Sequence, residues 1–108
     1  MKTQKKIIIP IYGYKLTIII FDDWNEIAEI CDGIQPCNAF TKYRYGESLV
    51  AIDSHSQSSI VHEAEHVKNI IWEHIGYTPQ INNDEVDAYL LTYICQKITE
   101  VFNRHTSE

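Results

Sequence analysis

At 108 residues, with 44% hydrophobic and 22% charged side chains, the chain has the make-up of one globular domain (1–108) that can close a core without disulfides. A net charge of −6 with no basic stripe argues against a nucleic-acid partner, and no segment is long and uniformly apolar enough to span a membrane. Three cysteines, Cys31, Cys37 and Cys95, fit reduced thiols in a cytoplasmic protein, and the spacing of the first two is not that of a zinc ribbon.

Lys5-Lys6 before an isoleucine-rich run imitates a signal peptide, but Pro10, Gly13 and Lys15 interrupt the run and no small-residue cleavage site follows. Its β-branched composition predicts strands over Lys6–Ile9 and Tyr14–Phe21 instead. Asp22 or Asp23 is placed to cap a short helix to about Cys31, ended by Gly33 and Pro36. A second strand pair is predicted at Phe40–Tyr45 and Ser48–Asp53, turning at Gly46-Glu47. After a polar loop, Ser56, Ser58 or Ser59 caps a helix running to about Ile75, with Gly76 as its C-terminal stop. Tyr77–Asn82 reads as a loop, and a last long helix starts near Asn83 or Asp84 and runs to about Phe102. The expected fold class is α+β, with a small, mostly antiparallel sheet packed by two helices.

The first of these helices carries His62-Glu63-Ala64-Glu65-His66, an HExxH motif. On an α-helix, positions i and i+4 share a face, so both imidazoles can reach one tetrahedral Zn2+. The glutamate after the first histidine then lies beside the open metal position, where it can take a proton from water and pass it to a leaving amine. Ile60, Ala64, Val67, Ile71 and Ile75 make a core-facing stripe, while His62, His66, Asn69 and Glu73 fall on roughly the opposite side. Ile70 and Trp72 flank the histidine side, which favours a cleft over open solvent.

A catalytic zinc needs a third protein ligand. The last helix opens with three carboxylates, Asp84, Glu85 and Asp87. Glu85 heads a stripe of Ala88, Leu91, Thr92, Cys95, Thr99 and Phe102, whose small members would let this helix approach the motif helix. Asp84 can serve as an N-cap, and Asp87 lies on another line with Leu90, Ile94 and Val101. Glu85 is the preferred ligand, against the competing reading that all three simply favour the helix N-terminus.

His62-Glu63-x-x-His66 followed by Glu85-x-x-Ala88 resembles the gluzincin branch of the zincin metallopeptidases, and more closely the small zincins of phage and mobile elements and the ImmA/IrrE-type group. The likeness spans roughly Ser48 to Phe102. It implies a minimal zincin-like domain, with His62, His66 and Glu85 as zinc ligands and Glu63 as general base. Zincins also place an edge strand before the motif helix; Ser48–Asp53 has that place in the order, and a peptide or protein substrate would dock along it. The chain departs from the pattern in having Tyr89 where some gluzincins carry a supporting acid, and in being very short for a peptidase.

The activity expected is zinc-dependent peptide-bond hydrolysis. Tyr89, one turn after Glu85, is the first candidate for an oxyanion donor, ahead of Tyr93, Tyr77 and His55. The alternative is a small non-catalytic binding module with a structural or absent metal, for which His55 would be the closing fourth ligand. His74 and His105 read as surface or interface histidines.

Overall fold

The computed structural model describes residues 1–31, 33–44 and 46–107. Strands β1 (Thr3–Ile9), β2 (Tyr14–Phe21), β3 (Ala39–Arg44) and β4 (Glu47–Asp53) form one mixed sheet in the order β1-β2-β4-β3. Two antiparallel hairpins, β1–β2 and β3–β4, are joined through parallel β2–β4 pairing with Leu16 opposite Ser48 and Ile20 opposite Ile52. Helices α1 (Ser59–Ile75) and α2 (Glu85–Thr106) complete an α+β fold.

Strand β2 is a nearly unbroken apolar run because both of its faces are covered. Tyr14, Leu16, Ile18 and Ile20 pack with Val50 and Ile52 beneath the two helices. Ile19 and Phe21 face the other way, into a smaller cluster with Ile27, Cys31, Phe40 and Ala51. That second cluster is roofed by the segment predicted as a helix. It is instead two 3-10 turns, Trp24–Glu26 and Ala28–Ile30, separated where Ile27 takes φ −125° and ψ 7°. The expected aspartate cap is present: Asp23 accepts from the Asn25 N–H at 2.9 Å, and Glu26 accepts from the Asp22 and Asp23 N–H groups.

The Ser48–Asp53 strand is not an edge. As β4 it is paired on both sides, and β3 forms the edge next to it, with β1 at the opposite edge. The difference comes from the parallel pairing of β4 with β2, and composition is compatible with it: Leu49-Val50-Ala51-Ile52 is apolar on both faces, whereas β3 carries Thr41, Lys42 and Arg44, which suit a rim. The predicted Tyr45 end of β3 lies outside the described residues.

Helix α1 ends as expected. Gly76 has φ 75°, its N–H bonds the Glu73 carbonyl, and the Tyr77 N–H bonds the Trp72 carbonyl at 2.9 Å, a Schellman closure. Ser58 occupies the N-cap position without a side-chain capping bond. In α2 the buried line is Leu90, Ile94, Ile98, Val101 and Phe102; of the predicted stripe only Phe102 is buried, and Ala88 and Thr92 are exposed. Bulky side chains remove more apolar surface from water than alanine or threonine do, so they set the rotation of the helix. Asp87, not Glu85, therefore turns toward α1.

Candidate metal centre and cleft

Helix α1 presents three surfaces. Ile60, Ala64, Val67 and Ile71 are buried in the main core. Lys68 and Trp72 face α2, where both contact Asp87. Glu63, His66 and Ile70 line the flank toward β3, with His62 beside them.

On that third flank the motif histidines converge. His62 Nε2 and His66 Nε2 are 3.1 Å apart, with the rings edge to face. Two zinc–nitrogen bonds of about 2.0–2.1 Å at the tetrahedral angle would hold the nitrogens about 3.3 Å apart, so the pair fits one shared cation. Glu63 is only 5% exposed. Its Oε1 accepts from the Thr41 hydroxyl at 2.8 Å, and its Oε2 stands 4.0 Å from His62 Nε2. The carboxylate is thus clamped by the edge strand, with its second oxygen turned toward the histidines.

These groups open into a cleft of about 430 Å³ between Ala39, Phe40 and Thr41 of β3 and the His62–Glu73 stretch of α1. No lysine or arginine lines it. Period-two alternation puts Ala39, Thr41 and Tyr43 on the helix side of β3. Phe40 and Lys42 point away, Phe40 into the second cluster and Lys42 Nζ to the Ile30 carbonyl at 2.9 Å.

The carboxylates of α2 do not join the histidines. Glu85 is exposed at the start of the helix and does not line the cleft. Asp84 sits at the N-cap position, also exposed, and makes no side-chain capping bond. Asp87 is committed elsewhere: it accepts from Lys68 Nζ at 2.8 Å and from the Trp72 indole N–H at 2.6 Å, while Lys68 also pairs with Glu65 at 2.6 Å. Burial would lower the Lys68 pKa, but its bonds to Asp87 and Glu65 outweigh this and hold it above the usual value. Burial likewise opposes ionisation of Asp87, and Lys68 and Trp72 overcome it, leaving the carboxyl below its usual value. Among the described residues, no set of three His, Cys, Asp or Glu side chains gathers to hold a metal ion.

Tyr89 is 70% exposed and lines a different, apolar recess with Tyr93, Ile11 and Val86, so neither tyrosine faces the histidine pair. Tyr77 packs on Trp72, with ring centroids 4.6 Å apart. His55 is bound to Asp53 at 2.9 Å. His74 stacks edge-on against Tyr14. His105 lies between Thr3 and Asp22 at 2.8 and 2.9 Å. Cys31, Cys37 and Cys95 are free thiols, and burial pushes Cys31 and Cys95 up from the usual thiol value.

Sequence reasoning missed Thr41 as the support of Glu63. Nothing local marks it, since the contact depends on which strand ends the sheet. No family model, curated protein or solved structure matches the chain.

Proposed function

We propose that this protein is a metal-dependent peptidase of the HExxH zincin type, with His62 and His66 as two of the ligands to Zn2+, the third not standing with them among the described residues, and Glu63 acting as general base. The observation that carries the reading is the nitrogen pair 3.1 Å apart beside a buried, hydrogen-bonded carboxylate, in a cleft bordered by a free sheet edge. Zn2+ bound there would acidify a water molecule and polarise a scissile carbonyl. The substrate, an extended peptide or protein segment, adds to β3 by main-chain hydrogen bonds, and β3 replaces Ser48–Asp53 as the docking strand. Glu63, aligned by Thr41, takes the proton of the attacking water and delivers it to the leaving amine. Neither Glu85 nor Tyr89 is given a part in this scheme, because neither lines the cleft. The three free cysteines suit a cytoplasmic setting, and no described helix is long and apolar enough to cross a membrane.

One observation favours a second reading, a peptide-binding module without catalysis: no third protein ligand stands with the histidines among the described residues. Elemental analysis and peptide-library cleavage separate the two. Under the peptidase reading, wild type carries zinc, His62→Ala loses it, and Glu63→Gln keeps it while losing cleavage. Zinc-free wild-type protein grown with zinc in the medium would sink the metal centre.

A further inference from the structure

Beyond the histidines the cleft shares Ile70 and Glu73 with a neighbouring pocket of about 290 Å³, lined by Tyr43 of β3 and by Ile70, Glu73 and His74 of α1. Glu73 borders both spaces, is exposed, and has no ion-pair partner among the described residues. Tyr43 is 52% exposed, so its ring is accessible, and Ile70 supplies an apolar wall. We infer that this pocket selects a basic side chain, lysine or arginine, on the peptide docked along β3. The inference rests on the peptidase reading and names its substrate class.

Three of the four lining residues match one part each of such a side chain, while His74 packs edge-on against Tyr14. Ile70 takes the methylene stem, the Tyr43 ring meets the cationic head over its face, and the Glu73 carboxylate neutralises it. An acidic side chain would meet an unpaired like charge, and a purely apolar one would desolvate Glu73 without replacing its hydration. From His66 to Glu73 is about 10 Å along the helix, the reach of about three residues of extended chain. The basic residue therefore lies about three positions from the reacting bond, on the side of the peptide that faces α1. The net charge of −6 assists by drawing cationic segments toward the surface.

The test is equilibrium binding, by fluorescence anisotropy, to the zinc-loaded full-length Glu63→Gln protein, which does not turn the peptide over. The probes are short, end-capped, alanine-based peptides carrying lysine, leucine or glutamate at each position in turn. Lysine at one position is expected to tighten binding about fivefold over leucine and glutamate, the scale of an exposed ion pair. Added Glu73→Gln or Tyr43→Ala removes most of that gain, and Glu73→Lys turns the preference toward glutamate. A gain absent at every position, or one that survives Glu73→Gln, overturns the inference; Glu73 is exposed, so this substitution does not threaten the fold. Cleavage by wild type with no basic preference also overturns it while leaving the peptidase standing. Lysine-dependent binding that Glu73→Gln abolishes, without any cleavage, keeps the pocket and sinks the peptidase.

Discussion

The Thr41 hydroxyl donates to Glu63 Oε1 across 2.8 Å, so a side chain of the edge strand fixes a carboxylate that the motif helix has buried. The proposed docking strand and the proposed base are thereby joined by one hydrogen bond. Thr41→Val keeps the shape and removes the donor. We expect it to cost about 1 kcal/mol or somewhat more in urea unfolding, because a buried acceptor loses its partner. It should lower kcat about tenfold with little change in KM, and Thr41→Ser should restore most of both. Under the peptidase reading, a Thr41→Val protein with wild-type kcat would detach the strand from the chemistry.

Glu85→Ala should leave the zinc content at the wild-type level and cost only a few tenths of a kcal/mol through the helix dipole, since Glu85 is exposed and outside the cleft. Elemental analysis beside a thermal melt decides this. Loss of zinc would instead restore Glu85 as a ligand.

Asp87→Ala should destabilise by about 3 kcal/mol, because Lys68, 5% exposed, would lose one of its two anionic partners. Metal content should not change. The experiment pairs a urea titration with zinc analysis of the folded protein.

Stability should peak over a neutral plateau and fall on both sides. Asp87 and Glu26 are held below their usual carboxyl values, and Asp22, bonded by His105, Ser54 and the amino terminus, lies well below. A depressed folded value stabilises above the unfolded pKa of about 4, and that contribution is lost as the pH drops through the folded values. Lys68 and the Met1 amine are raised, the latter by its bonds to Glu26 and Asp22. Their contributions are complete below the unfolded values of about 10 and about 8, and are lost as the pH climbs past the folded ones. Urea midpoints across the pH range should show both limbs, with the acid limb shallower in Asp87→Asn.

Ile11 holds φ 73° at the tip of the β1–β2 hairpin and is 96% exposed. A β-branched residue is strained in that region, and nothing is gained by burial. Ile11→Asn should raise stability by about 1 kcal/mol, read as a higher melting temperature.

Much of this architecture was legible beforehand, where local chemistry is strong. The Tyr14–Phe21 strand, the Gly76 stop and the buried stripe from Ile60 to Ile71 each follow from residue type and period, though Ile75, the stripe's predicted last member, is 43% exposed at the helix end. So does the outward turn of His62 and His66, because the same wheel that buries Val67 must expose them. What remained hidden is non-local. Whether Ser48–Asp53 or Ala39–Arg44 ends the sheet depends on a parallel pairing to β2 that no short window encodes. The rotation of α2 turned on a contest between two plausible stripes, decided by the larger area that Leu90, Ile94 and Ile98 bury. The 3-10 turns at Trp24–Ile30 are fixed by the cluster they cover, not by their own spacing.

The division of α1 into separate flanks has an evolutionary consequence. Anchorage comes from the core stripe and from Lys68 and Trp72 beside it, while His62, Glu63, His66 and the Ile70–Glu73 wall stand on the remaining flank. Under the proposed function, substitutions that retune which peptide is accepted would therefore fall on positions that do not hold the helix in place. On that reading, Glu73 or Tyr43 could be exchanged, and the target with them, while the fold stays the same.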